Sequence, residues 1–210
     1  MRVLLAGFGP FPGAPLNPST AVAQALARRR RPALADLDRS VHVFATSYAA
    51  VDRDLPPLFA KKLDIVLIFG LAARRRQICI EIRARNALSV LFPDASGRRS
   101  PTGVIEAGGP DALFGRAPFH RLMNATRASK VPVRLSRDAG RYLCNYIYWC
   151  ALQQRASHGE PLVQFVHIPA LARQAQRPLR RNKKRHALTL SQVVSAAENL
   201  LIALASARNH

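Results

Sequence analysis

The chain has 210 residues, 49% of them hydrophobic. That suits one globular domain over residues 1–210 with a sizeable core, and excludes an intrinsically disordered chain. Its 32 Lys and Arg against 12 Asp and Glu leave a net charge of +20, a field that attracts polyanions, although an arginine-rich composition spread over solvated faces gives the same number. No apolar run reaches the roughly 18 residues of a membrane span, and the apolar start is too short for a signal-peptide core. Three cysteines, an odd count, argue against a disulfide framework and for a reducing, cytoplasmic setting.

Val3–Ala6 is a short apolar run closed by Gly7 and reads as a buried strand. Asn17-Pro18-Ser19 then has the form of a helix start, with Asn as cap and Pro in the first turn, for a helix over Pro18–Ala27. Val41–Thr46 is a second predicted strand. Pro56-Pro57 interrupts an otherwise helical stretch over Ala49–Lys62. Asp64–Phe69 is a continuous apolar strand closed by Gly70, and Gln77–Arg83 alternates as a strand does. The stretch Pro93–Pro110 is polar and rich in glycine, as a surface loop is. Val131–Ser136 predicts a strand, and a helix follows Ala139-Gly140 as far as Arg155. Leu162–Ile168 is a strand stopped by Pro169. The basic segment Gln174–His186, inside a loop over about 172–188, carries no pattern. Thr189 caps a last helix reaching Ser206. Strands alternating with helices, several apolar throughout, predict a three-layer α/β/α sandwich around a mostly parallel twisted sheet.

Sites in such sheets lie at the carboxyl ends of strands. Three residues there bear chemistry. Cys144 follows a strand and a small-residue turn, at the start of a helix. That geometry exposes a nucleophile to unpaired backbone N–H groups, which favour a thiolate and can bind an oxyanion. From position alone the residue reads more readily as a small buried hydrophobe, which is what most free cysteines are. Cys79 and Cys150, in mid-strand and mid-helix, read as core. His167 ends the strand Leu162–Ile168, within reach of a neighbouring element, or else it is a core histidine held by a carbonyl. Glu81 lies inside an apolar strand, where a carboxylate needs a partner. That partner is either an imidazole to orient or a structural cation such as Arg83 or Arg85.

These segments resemble the pyrrolidone-carboxylate peptidases (pyroglutamyl peptidase type I) across residues 3–170. The opening GFGPFPGAPLNPS, GLAARRRQICIE, FPDASG, Gly108-Gly109-Pro110, AGRYLCNYIYW and FVHIP match that family's motifs in order. The resemblance implies a cysteine exopeptidase with Cys144 as nucleophile, His167 as its base and Glu81 orienting His167. It implies removal of an N-terminal pyroglutamate from peptides without metal or cofactor, and association into a dimer or tetramer. It also implies a lactam pocket lined by Phe8, Phe11, Thr46, Phe92, Tyr142 and Leu143, whose apolar walls reject free amino groups by their desolvation cost. The chain departs from the family at Pro12, where a Gly is usual, at Ile82 and Leu91, where Arg is usual, at Ala95 for Asn, and at Asp138 for Ser or Thr. Asp138 beside a thiolate works against it by like charge unless Arg137 or Arg141 offsets it. The departures leave a weakened relative that only binds capped peptides as one alternative. A nucleic-acid-binding protein is another, although its basic stretches lack interleaved aromatics.

Overall fold

The computed structural model describes residues 1–11, 14–157, 161–172 and 187–209. The basic segment 174–186 and the departure at Pro12 fall outside the described residues. A six-stranded sheet forms the centre of the fold. In chain order its strands are β1 (Arg2–Phe8), β2 (Asp38–Phe44), β3 (Ile65–Leu71), β4 (Ile78–Glu81), β7 (Val133–Ser136) and β8 (Leu162–Ile168). Across the sheet the order is β2-β1-β3-β8-β4-β7. The first four of these are mutually parallel; β4 runs antiparallel to β8, and β7 runs with β4. Helices α1 (Pro18–Ala27), α3 (Phe119–Arg127) and α5 (Leu190–Arg208) bury their apolar sides on one face; α2 (Tyr48–Phe59) and α4 (Leu143–Ser157) cover the other. The result is a three-layer α/β/α sandwich around a mostly parallel sheet. A two-stranded antiparallel ribbon, β5 (Arg83–Arg85) with β6 (Ala112–Phe114), stands beside it.

The central strands β1, β3 and β8 are buried along nearly their whole length, which is why Val3–Ala6 and β3 read as unbroken apolar runs, while β8 carries only Gln164 and His167 among apolar residues. β2 is an edge strand. It begins at Asp38, earlier than the predicted Val41, because a strand solvated along one edge accepts the polar residues Asp38, Arg39 and Ser40. The predicted strand Gln77–Arg83 breaks at Ile82. There the backbone N–H makes the last in-register bond of the β4–β7 ladder, to Ser136 O at 2.8 Å, and the chain continues as β5 in the ribbon.

Helix α2 runs straight through Pro56 and Pro57. The carbonyls these prolines leave without donors belong to Asp52 and Arg53, which are exposed to water, and Ala60 N–H closes the last turn on Pro56 O at 3.1 Å. Helix α1 starts as its sequence indicates. Asn17 caps Ser19 N at 3.1 Å, Ser19 Oγ accepts from Phe8 N at 2.9 Å, and Thr20 Oγ1 donates to Phe8 O at 2.7 Å. These bonds pin the carboxyl end of β1 to the start of α1. Thr189 and Gln192 form a reciprocal capping box on α5, which extends to Arg208. Among the described residues α5 alone is long and apolar enough to cross a membrane, and 56% of that stretch is buried inside the protein.

Candidate active site

Sheet register assembles the site. In the antiparallel pair of β8 and β4, His167 stands opposite Cys79 and Phe165 opposite Glu81. Glu81 is therefore the diagonal neighbour of His167 on one face, near enough for two long side chains to meet. They do: His167 Nδ1 lies 2.8 Å from Glu81 Oε1, with both groups buried. On the other side of β8, Gly70 of β3 pairs with His167. A Cβ on Gly70 would lie 2.8 Å from Cys144 Sγ and 2.6 Å from Phe165 Cζ, so the sulfur occupies the space the missing side chain leaves.

Cys144 is the second residue of α4 and is half-buried, and its thiol interacts electrostatically with His167. The loop between β7 and α4 turns at Gly140 with φ of 84°, a left-handed conformation that glycine adopts without strain. Asn145, fully buried, fastens the helix start by three hydrogen bonds. It accepts from Arg85 N at 2.8 Å and donates to Arg85 O at 2.7 Å and Ala87 O at 3.0 Å.

The charges in this arrangement reinforce one another. Burial pulls the His167 imidazolium toward neutrality, but the facing Cys144 thiolate and Glu81 outweigh it and raise its pKa from 6.5 to about 9. Burial alone would raise Glu81; His167, followed by Ser136 and Arg75, holds it below the usual carboxylate range instead. Neither Arg83 nor Arg85 pairs with Glu81. Its cation is Arg75, whose Nη1 lies 2.6 Å from the same Oε1. Arg83 Nε donates to Arg137 O at 3.0 Å, and Arg85 Nη1 stands 3.6 Å from Asp138 Oδ1. Asp138 Oδ1 also accepts from Gly140 N at 3.1 Å. The counter-ion of Asp138 is therefore Arg85, rather than Arg137 or Arg141.

The expected pocket residues divide. Phe8 and Leu143 are buried in one apolar cluster, against which Tyr142 and Cys144 also pack. Tyr142 Oη donates to Pro93 O at 2.8 Å. Thr46 Oγ1 donates to Gly9 O at 3.2 Å, and Thr46 O accepts from Ala95 N at 3.0 Å, so Thr46 joins the first loop to the Pro93–Ser96 turn. Asp94 organises that turn by accepting from Ser96 and Arg98 N–H groups, and it also caps Tyr48 N at the start of α2. Phe11 is half-buried and Phe92 is 64% exposed, so neither is drawn into the cluster around the sulfur. Leu91 and Ala95 are exposed on the same loop. Of the other thiols, Cys79 is fully buried; Cys150 is half-buried against the α2–α4 core, and desolvation pushes its pKa up to about 12.

Sequence reasoning missed Arg75, Gly70, Asn145, Tyr148 and Gln164. The last two donate to Glu81 O at 3.0 Å and 2.9 Å and fix its backbone. A buried carboxylate within an arginine-rich stretch was the signal for Arg75. Nothing in the chain distinguishes it from Arg74 and Arg76, which point into solvent.

A thiol at a helix start near an imidazole with a buried carboxylate behind, on an α/β/α sheet, is an arrangement that suits cysteine-hydrolase chemistry. Comparison with known proteins narrows the class: the model of the family described as pyroglutamyl peptidase matches residues 1–207, and the chain belongs to that family. It is 32% identical over 203 residues to the pyrrolidone-carboxylate peptidase of Thermococcus onnurineus, covering 96% of this chain and 97% of that protein. It is also 32% identical over 176 residues to the enzyme of that name from Pyrococcus furiosus, covering 83% of each. The crystal structure of pyrrolidone carboxyl peptidase from Fervidobacterium islandicum superposes with a TM-score of 0.86 at 28% identity, covering 98% of this chain and 99% of that one. Pyroglutamyl peptidase I from Bacillus amyloliquefaciens gives 0.83 at 26% identity, covering 100% and 95%. The protein is thus a cysteine peptidase of the pyroglutamyl-peptidase I type.

Proposed function

We propose that this chain hydrolyses the bond following an N-terminal pyroglutamate, with Cys144 as nucleophile, His167 as acid and base, and Glu81 orienting His167. The observation that carries this reading is the buried 2.8 Å contact between His167 Nδ1 and Glu81 Oε1, with the sulfur of Cys144 seated over Gly70 beside the same ring. An ionised Glu81 can only accept, so Nδ1 keeps its proton and the other ring nitrogen faces the thiol. The thiolate attacks the pyroglutamyl carbonyl carbon. Backbone N–H groups at the start of α4 stabilise the developing oxyanion. The imidazolium passes its proton to the departing amine as the C–N bond breaks, and a water deprotonated by His167 then releases pyroglutamate from the thioester.

Phe8, Leu143 and Tyr142 form the wall that suits an uncharged lactam and costs a free ammonium its hydration. Free thiols at all three cysteines fit a reducing compartment. We place the single peptidase domain in the cytoplasm, as a dimer or tetramer, and light scattering on the purified protein checks the assembly.

The test is release of a fluorophore from a pyroglutamyl amide under reducing conditions, with Cys144→Ser abolishing it. Turnover unaffected by that substitution removes Cys144 from the reaction. Stabilisation of the wild-type protein by a pyroglutamate analogue without any turnover points to the capped-peptide binder instead.

A further inference from the structure

We infer that Arg75 is a positioning residue for the catalytic pair, one side chain that balances the charge of Glu81 and ties the nucleophile-bearing loop to it. The inference rests on the roles proposed above for Glu81, His167 and Cys144. Arg75 follows β3 in a turn closed by its own N–H on Ala72 O at 2.8 Å. Its neighbours Arg74 and Arg76 are exposed, whereas the Arg75 side chain is only 21% exposed and turns inward. Nη1 reaches Glu81 Oε1 at 2.6 Å and Ser136 Oγ at 3.3 Å. Nη2 donates to the carbonyl of Asp138. Asp138 opens the loop that delivers Tyr142, Leu143 and Cys144, so the planar guanidinium bridges the carboxylate of β4 and the segment preceding the sulfur. A fork of fixed geometry does this; a single ammonium cannot reach both partners.

The electrostatic consequence follows from counting charges. Thiolate, imidazolium, carboxylate and guanidinium sum to zero in a largely buried space. Without Arg75 the same space carries a net negative charge, which disfavours the thiolate and binds the imidazolium proton more tightly. The other ionisable groups that face the site do not substitute for it. Asp138 is paired with Arg85 at 3.6 Å, and Arg83 is engaged by Arg137 O. From β4, Cys79 is buried at the back of the cluster, where Arg134 Nε donates to its sulfur at 3.5 Å. Burial raises the pKa of Tyr148 on α4 and of Tyr142 just before it, and keeps both neutral.

The test uses the full chain, Arg75→Met and Arg75→Lys. Two pH profiles are read: alkylation of Cys144 by iodoacetamide, and kcat/KM on a pyroglutamyl fluorogenic amide. Arg75→Met is expected to move both limbs of each profile up by about one pH unit, since an opposite charge within ~4–6 Å is worth about 1–3 units. It should also lower kcat about 10- to 100-fold, the scale on which supporting residues around reactive groups act, with KM within about twofold. Arg75→Lys should return the limbs to their wild-type positions yet leave kcat depressed, because its one arm reaches Glu81 and not Asp138 O. Where Arg75→Met does not fold, Arg75→Gln serves as the neutral variant. A folded neutral variant whose limbs coincide with wild type overturns the electrostatic role, and Arg75→Lys with full kcat overturns the tether. If wild type shows no peptidase turnover while the alkylation limbs of Arg75→Met still lie above those of wild type, Arg75 is upheld and the proposed reaction is refuted. Turnover with unshifted limbs sinks this inference alone.

Discussion

The placement of Cys144 Sγ over Gly70 predicts that one methyl group disables the site without disturbing the fold. Gly70 has no left-handed φ, so its backbone accepts alanine and the effect is steric. The new Cβ would stand 2.6 Å from Phe165 Cζ and 2.8 Å from Cys144 Sγ. Ordinary non-bonded separations begin at ~3.5 Å, so each neighbour must give by a little under about 1 Å. Phe165 cannot yield freely: it is fully buried, with the Tyr148 ring at 5.7 Å on one side and the His167 ring at 4.9 Å on the other. Any rotation that relieves the clash displaces the imidazole, and the remaining relief comes from the sulfur. A misplacement of about 1 Å at a reacting atom costs about 100-fold in rate, or about 3 kcal/mol of transition-state stabilisation. The overpacking itself destabilises by about 1–3 kcal/mol. The assay is kcat/KM on a pyroglutamyl amide together with thermal unfolding. Gly70→Ala should stay folded and lose about two orders of magnitude in kcat/KM.

Two other glycines calibrate this reasoning. A Cβ on Gly9 meets nothing nearer than Phe44 O at 3.6 Å, so Gly9→Ala should leave activity within about twofold and stability within about 0.5 kcal/mol. A Cβ on Gly7 would meet the Ser19 backbone at 2.8 Å, where neither β1 nor α1 can shift alone. Gly7→Ala should lower the melting temperature while the folded fraction keeps its kcat. If Gly70→Ala is stable and within threefold of wild type, the sulfur is not held where these distances put it.

Glu81→Gln should lower kcat by about 10³–10⁴ with little change in KM, because an amide can present N–H to Nδ1 and enforce the wrong tautomer; activity above a tenth of wild type removes Glu81 from its assigned role. The pKa of His167 is raised on folding from 6.5 to about 9, so its contribution to stability is complete below pH 6.5 and is lost as pH rises through about 9. Melting temperatures should fall across that window and flatten in His167→Gln, and parallel curves for the two proteins refute the linkage. The lowered pKa of Glu81 acts at the other end: its contribution is present above about pH 4.5 and disappears under more acid conditions. Asn145→Ala removes three buried hydrogen bonds and leaves the Arg85 and Ala87 backbone groups unpaired, so unfolding free energy should drop by about 3 kcal/mol, measured by urea titration.

The parts of the fold legible in the sequence were those with a single physical solution. Val3–Ala6 and Ile65–Phe69 are apolar on both faces, which a covered central strand satisfies, and Leu162–Ile168 is apolar but for Gln164 and His167. Asn17-Pro18-Ser19 caps a helix because its groups pair no other way so well. The strand Val41–Thr46 was misplaced by three residues at its start because an edge strand has no apolar signature at its solvated end. Pro56-Pro57 misled because the cost of a helical proline depends on whether water can reach the orphaned carbonyls, and sequence does not report exposure. Cys144, His167 and Glu81 were named from position and motif, and the fold sets His167 Nδ1 2.8 Å from Glu81 Oε1. Arg75 was not, since its choice over Arg83 and Arg85 is made by the turn at Ala72–Arg75 and by the direction of β4. Phe92 aligned with the pocket yet lies open to solvent, because loop residues share a motif without sharing a packing environment.

Strand direction carries more of the chemistry than the motif suggests. A run such as Ile78–Glu81 gives no sign of its sense, yet the antiparallel pairing of Cys79 with His167 sends residue 81 down the sheet, opposite Phe165. In a parallel strand with the same first pairing, residue 81 would stand beyond His167, past the end of β8 at Ile168. Reversal instead puts the carboxylate at 0% exposure behind the ring. A buried anion in that place is tolerable only with cations close by. His167 is one and Arg75 the other, both on the same oxygen at 2.8 Å and 2.6 Å. The direction of one four-residue strand thus requires the guanidinium, and the guanidinium in turn reaches the loop that carries the sulfur.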